Sequence, residues 1–319
     1  MNHGKVSKEI ARGLKILRKR IGKEKIPSSK LDESINLATW NIRDFGKSER
    51  EPASIHYIAE IMWQFDLIAV AEVRDNISDL KRVLDILGPY WRVVFSDFIT
   101  DHRGNRERFA YVYDKRAVTF TGLASEADEP RKLNKKTKEF EPSMTWYRKP
   151  YMASFSAGNF DFIIVGVHIR WGKGKKARIK PLKMLAEWIE ERRTDKHVID
   201  KDIMVVGDFN IPKINDALYK AITSKGLRMA DALLGEHGSN LKKNARYDQI
   251  LHYPNTKCFT KKAGVLDFHK GSFKPLYPWS EKTENRLSWE VSDHLPLWVQ
   301  LDVDSYDEQL DQIIRSKKK

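Results

Sequence analysis

Short apolar runs recur along the chain, and each ends on a side chain able to hold a proton or a cation. Runs over 36–40, 67–71, 162–167 and 203–206 are rich in Leu, Ile, Val and Ala and read as buried strands. They deliver Asn41, Glu72, His168 and, past Gly207, Asp208 and Asn210. Gly207 permits a tight exit from its strand. From the other direction, Asp248 stands near the start of a run over 247–251, and Asp293 with His294 leads into a run over 295–301. A lone Asn or Asp at a strand end is by default a cap or a solvated group. Six such tips in one chain predict a site along one edge of packed sheets.

Between these runs, single apolar stripes predict helices over 54–64, 77–87, 181–193 and 215–224; Leu182, Leu185, Ala186 and Ile189 mark one of them. Strands alternating with one-faced helices predict an α/β fold: two packed, mostly antiparallel β-sheets flanked by helices in a four-layer sandwich. No linker or repeat divides 31–302, which reads as one catalytic domain. Residues 1–30 read as a basic amphipathic helix and a hinge at Pro27, and 303–319 as a short helix with a basic tail. The segment 125–141 is charged and aperiodic and reads as an exposed loop.

Charge sharpens the picture. The chain of 319 residues carries a net charge of +14. The first thirty residues hold ten Lys/Arg against Glu9 and Glu24. A second basic run, over 170–183, starts two residues after His168 and contains Arg170, Lys173 and Arg178 beside Trp171. A cationic loop there would neutralise backbone phosphates, so nucleic acid, read without sequence preference, is the expected partner. The N-terminal helix would either add to that surface as an arm or, through Ile10, Leu14, Leu17 and Ile21, cap the domain. Cys258 is the only cysteine, which excludes an intrachain disulfide. No apolar run is long enough to span a bilayer and the N-terminus lacks a secretory pattern, so a cytoplasmic protein is expected.

The chemistry of the tips narrows the reaction. An all-oxygen set of Asn41, Glu72, Asp208, Asn210 and Asp293 suits Mg²⁺ or Mn²⁺ rather than zinc. Imidazoles beside carboxylates suit proton transfer, and the two together suit metal-assisted hydrolysis.

Taken in order, Thr39-Trp40-Asn41-Ile42-Arg43, Ala71-Glu72-Val73-Arg74-Asp75, Val167-His168, Gly207-Asp208-Phe209-Asn210, Tyr247-Asp248-Gln249-Ile250 and Ser292-Asp293-His294-Leu295-Pro296 resemble the motifs of the endonuclease/exonuclease/phosphatase superfamily. The resemblance runs over about 35–301 and is nearest to the deoxyribonuclease I branch, through Asn41 to Gly46, Glu72 to Asp75, Glu107-Arg108-Phe109 and Arg148-Lys149-Pro150. It implies a metal-dependent phosphodiesterase that cuts DNA. Glu72 would be the principal metal ligand with Asn41 beside it. Asp208, Asn210 and Asp293 would serve a second position or the nucleophile. His168 and His294 would move protons, oriented by Glu107 and Asp248, with acid and base not assigned between them. Arg43, Arg74 and Arg148 would contact phosphates, with Arg170, Trp171 and Lys173 adding substrate contacts. The chain departs from the branch in lacking disulfides and in carrying Asn105 where a groove-inserting aromatic is aligned. Other readings are an abasic-site endonuclease, a lipid or inositol phosphodiesterase or phosphatase, and a catalytically silent nucleic-acid-binding protein.

Overall fold

The computed structural model describes the chain except residues 101–104, 144, 173, 236, 237, 257, 305, 307–309, 311–313 and 315–319. Its first sheet holds β1 (Ser34–Phe45), β2 (Leu67–Arg74), β3 (Trp91–Phe95), β4 (Glu107–Asp114), β13 (Phe259–Val265) and β14 (Leu297–Asp302), in the order β13-β14-β1-β2-β4-β3. The second holds β5 (Thr119–Glu126), β8 (Tyr151–Ala157), β9 (Phe160–His168), β10 (Ile203–Asp208), β11 (Arg228–Met229) and β12 (Asp248–His252), in the order β11-β12-β10-β9-β8-β5. Each sheet is mixed. β1 with β2 and β9 with β10 run parallel, and the other neighbours are antiparallel.

Side-chain alternation explains the layering. In β2, Leu67, Ala69 and Ala71 join Leu37 and Tyr111 in the core shared with the second sheet. Ile68 and Val70 point the other way, into a core with Trp40 and the helices α1 (Lys8–Gly22), α2 (Pro52–Met62) and α3 (Ser78–Leu87). A strand buried on both faces reads as a continuous apolar run, as it does in the sequence. Helices α4 (Gly174–Thr194) and α5 (Ala217–Ile222) cover the second sheet through Leu182, Leu185, Ala186, Ile189 and Leu218. A four-residue helix, α6 (Glu284–Leu287), lies before β14. The four-layer α/β sandwich expected from the sequence is the observed fold.

Two local expectations are corrected, and one open alternative is decided. The segment 125–141 is not a plain loop: it holds the end of β5 and a hairpin of β6 (Arg131–Leu133) and β7 (Phe140–Pro142). Strands of three residues are too short to register as alternation. The basic run at 170–183 is mostly helix, because α4 begins at Gly174 and keeps Pro181 inside it. Pro181 reads as a helix start, since proline suits the first turn; here the Lys- and Arg-bearing stretch 174–180 before it extends the helix backwards. The N-terminal helix is docked on the domain: Leu14, Leu17 and Ile21 are buried. Gly13 permits this approach, because a Cβ there would sit 1.7 Å from the Tyr57 Oη. Lys173, the tail 317–319 and most of the expected helix over 306–315 lie outside the described residues. Among the described residues, no helix is long and apolar enough to cross a membrane.

Candidate active site

Register places the candidate residues side by side. In the second sheet, Asp208 of β10 pairs with His168 of parallel β9 on one side and with Asp248 of antiparallel β12 on the other. In the first sheet, Asn41 of β1 stands opposite Ala71, the residue before Glu72, and Arg74 stands opposite Glu107 of β4. Both parallel pairs therefore end at the same edge of the sandwich. There, the Asn41 Nδ2 donates to Glu72 Oε1 at 2.9 Å and to Asp208 Oδ2 at 3.1 Å, joining the two sheets.

The turns that aim these groups are strained. β2 shifts register between Val70 and Val73, and Glu72 adopts φ 61°. Asp44, within a similar irregularity of β1, has φ 46°, and Asn210 has φ 53°. Left-handed backbone at a non-glycine residue costs on the order of 1 kcal/mol. Each strain is held by specific bonds. Glu72 Oε2 accepts from the Asp44 backbone N–H at 2.8 Å, and Asp208 Oδ1 accepts from that of Asn210 at 2.8 Å. The Asn210 side chain donates to the Ile169 carbonyl at 2.6 Å, and its own carbonyl accepts from Arg178. At Gly207, φ is 132° and a Cβ would lie 2.0 Å from the Val167 carbonyl oxygen, so the turn into Asp208 requires glycine.

Two imidazoles face Asp208, each backed by a carboxylate. His168 Nδ1 bonds Glu107 Oε2 at 2.8 Å while its Nε2 lies 3.6 Å from Asp208 Oδ2 and 3.8 Å from Glu72 Oε1. His294 Nδ1 bonds Asp248 Oδ2 at 2.7 Å while its Nε2 lies 4.0 Å from the same Asp208 oxygen. Carboxylates accepting at Nδ1 leave Nε2 of both rings turned toward Asp208. Burial and the nearby Arg148 oppose a charge on His168, but Glu107 and Asp208 outweigh them and raise its pKa. Burial likewise opposes charge on His294, yet Asp248, Asp208 and Asp293 push it up to about 10. Burial also resists the Glu107 charge, and His168 with Arg148 overcomes it, holding Glu107 at about 2. Asp248 is raised, chiefly by its burial, against the pull of His294.

The oxygen donors gathered here suit a hard cation. Asn41 Oδ1 is buried with no hydrogen-bond partner, beside the Glu72 and Asp208 carboxylates. Such an oxygen among carboxylates suits Mg²⁺ or Mn²⁺. Among the described residues, no three His, Cys, Asp or Glu side chains form a closed metal cage. A site of one carboxylate, one amide oxygen and waters is what Mg²⁺ commonly takes. Asp293 lines the same cleft as Glu72 and His294, and its carboxylate lies 3.6 Å from Arg43.

A cleft of about 430 Å³ opens over these groups, lined by Glu72, His168 and His294 and by Arg43, Arg148 and Arg170. Trp171 and Trp289 also line it. Arg43 stacks on Trp289, 3.8 Å from the ring centroid, and Arg170 on Tyr147 at 4.6 Å. Arg148 reaches the cleft but is also paired with Glu107, Nε to Oε2 at 2.7 Å. Arg74 is not among the lining residues; it is held by Asp44 Oδ1 at 2.5 Å. Asn105 donates to Glu107 at 3.0 Å, so it supports the histidine pair. Arg178, counted with the basic run, is buried and bonds the Asn210 carbonyl with Trp171 over its guanidinium. The sequence reading missed Asp44, Tyr247 and Trp289. Tyr247 packs against both His294 and Trp171; its place in the Tyr247-Asp248 dipeptide was the available signal. Trp289 lies in a loop, where neither period nor motif marks it.

No family model matches the chain. Among curated proteins it is 25% identical to rat (Rattus norvegicus) deoxyribonuclease gamma over 289 residues, 84% of each chain. It is 21% identical to bovine (Bos taurus) deoxyribonuclease-1 over 280 residues, 84% of this chain and 92% of the relative. A solved mannosyl-6-phosphatase of Bacteroides thetaiotaomicron matches with a TM-score of 0.55 at 20% identity, over 84% of this chain and 99% of that one. An endonuclease/exonuclease/phosphatase family protein of the same organism matches at 0.51 and 19%, over 85% and 98%. In sequence and in fold the chain is similar to proteins of the endonuclease/exonuclease/phosphatase superfamily. Its sequence similarity is to the deoxyribonuclease I branch, and the structural matches share its fold.

Proposed function

We propose that the chain is a member of this superfamily and a divalent-metal-dependent endonuclease that cuts DNA with little sequence preference. The observation that carries the reading is the pair of carboxylate-backed histidines facing one Asp208 carboxylate, in a cleft that three arginines line. Glu72 and the Asn41 Oδ1 would hold Mg²⁺ or Mn²⁺, with Asp208 and Asn210 beside them. Bound there, the cation would offset phosphate charge and stabilise the departing alkoxide.

The chain's own groups supply the rest. His294, ringed by three carboxylates, keeps its proton firmly and is assigned delivery to the leaving oxygen. His168, whose Nε2 lies 3.8 Å from Glu72 Oε1 and 3.6 Å from Asp208 Oδ2, is assigned removal of the proton from the attacking water. Asp208, between the two rings, orients the water and favours the charged imidazole in either step. Arg43, Arg148 and Arg170 would bind flanking phosphates, which carry no base identity. The similarity to two deoxyribonucleases supports DNA as substrate.

The test offers purified protein with Mg²⁺ or Mn²⁺ to supercoiled plasmid, abasic duplex, RNA and sphingomyelin in parallel. Nicking of intact plasmid that stops with a chelator is expected. Turnover confined to the abasic duplex, to RNA or to the lipid would replace this reading with the corresponding one.

A further inference from the structure

The hairpin β6–β7 is basic and exposed, and it carries an apolar pair that the fold does not cover. Leu133 and Phe140 are direct cross-strand partners, hence on one face, and are 49% and 67% exposed. Over 131–142 the hairpin has five basic residues against Glu139 and Glu141, with Lys135, Lys136 and Lys138 in the turn. Asn134 fixes that turn: its Oδ1 accepts from the Lys136 N–H at 2.9 Å and its Nδ2 donates to Glu141 at 2.8 Å. Ser143 closes the base by donating twice to the Pro130 carbonyl, at 2.7 and 2.8 Å.

The topology sets where the hairpin stands. Glu126 at the end of β5 pairs with Tyr151, which pairs with Gly166 two residues before His168. The hairpin therefore springs from the edge of the sandwich that carries the site. Its returning strand passes through Trp146, Tyr147 and Arg148, which line a cavity of about 120 Å³ reaching His168. Seven residues separate Glu126 from Leu133, so the apolar pair extends at most roughly 25 Å beyond the sheet.

We propose that this hairpin is a nucleic-acid-gripping element: the lysines of its turn engage phosphates while Phe140, with Leu133, inserts against a base step. The inference rests on the nuclease reading and deepens it by naming how a duplex is held. Positive charge around an exposed aromatic suits a polyanion whose bases offer flat apolar faces, and apolar wedges between base steps unstack and kink duplexes. The same element also accounts for a grip on duplex that does not use Asn105, which is committed to Glu107.

The test compares the full chain with its Leu133→Ser/Phe140→Ser double variant and with a Lys135→Ala/Lys136→Ala/Lys138→Ala triple variant. All five side chains are exposed, so folding should be unaffected; circular dichroism and turnover of bis(p-nitrophenyl) phosphate check this. Binding to a fluorescent duplex containing 2-aminopurine is measured across a salt series in Ca²⁺. The apolar double variant should bind roughly tenfold to a hundredfold more weakly, the range found on removing base-stacking aromatics. It should also lose the fluorescence rise that reports unstacking, with the salt slope unchanged. The lysine variant should instead flatten the salt slope. Equal affinity and fluorescence in wild type and double variant, with the duplex still cut, would overturn the inference alone. Weakened binding that tracks dissociation of a dimer in solution would make the hairpin a self-association surface and overturn it too. A wild type that turns over the small diester yet neither binds nor cuts the duplex would overturn the nuclease reading and the inference together.

Discussion

Glu72 combines three features that place it at the centre of the account: a carboxylate at a strand tip, a left-handed backbone and a neighbouring unpartnered amide oxygen. Glu72→Gln keeps the shape but removes the charge that attracts a hard cation, so calorimetry should find weakened Mg²⁺ or Mn²⁺ binding in a folded protein. An unchanged metal affinity would remove Glu72 from the cation site. His168→Ala and His294→Ala should each slow turnover by roughly two to four orders of magnitude, the usual range for positioned acid–base groups. If the two act as a unit, the double variant should be far from additive in single-turnover rates. Glu107 gives a pH prediction. Its pKa falls to about 2 when folded, from 4.5, so its stabilisation is complete above about pH 4.5 and is lost as pH falls toward 2. The interaction is shared with His168 and counted once, at a few kcal/mol. Denaturant melts over pH 2–4.5 should therefore fall more steeply for wild type than for Glu107→Gln; parallel curves would contradict the pairing. At this scale the sequence was readable where an apolar run ends on a polar residue, as at Asn41, Glu72 and His168. It was not readable where partners are spent on each other, as in Arg74 with Asp44 or Arg178 with Asn210, because a guanidinium's partner is set by the fold.

Among the elements, α1 decides between an arm and a cap. Its apolar stripe is buried against the domain, and Arg20 donates to three carbonyls, of Phe268, His269 and Ser272. Burying Leu14, Leu17 and Ile21 contributes roughly 1.5–3 kcal/mol each. Deleting residues 1–27 should thus lower the melting temperature and leave the salt slope of DNA binding unchanged; a flattened slope at unchanged stability would restore the arm. Gly13→Ala is a sharper probe, since the new methyl would collide with Tyr57, which itself donates to the Leu276 carbonyl at 2.7 Å. A loss of stability of about 1–3 kcal/mol in chemical denaturation is expected from such overpacking. The stripe of α1 was legible in sequence, but its docking surface lies partly on residues more than 240 positions away and was not. The hairpin was missed for the opposite reason: its strands are too short for a period, and its turn chemistry at Asn134 is local.

For the whole molecule, the layer order and the edge that carries the site were legible because buried strands and one-faced helices alternate. What the sequence left open was the pairing between sheets, where Asn41 bridges Glu72 and Asp208. That bridge makes the site a property of the assembled sandwich, so a local change at any one tip should disturb both histidine pairs. The positive charge belongs to this scale as well, since it is spread over α1, α4 and the hairpin rather than gathered in one loop. The most direct test of the central claim is the rate of supercoiled-plasmid nicking as Mg²⁺ is titrated, for wild type and for Glu72→Gln. The account predicts saturable, chelator-sensitive nicking by wild type, and a curve for the variant shifted to higher Mg²⁺ with a depressed plateau. Nicking by both proteins at the same rate and the same Mg²⁺ dependence would contradict it.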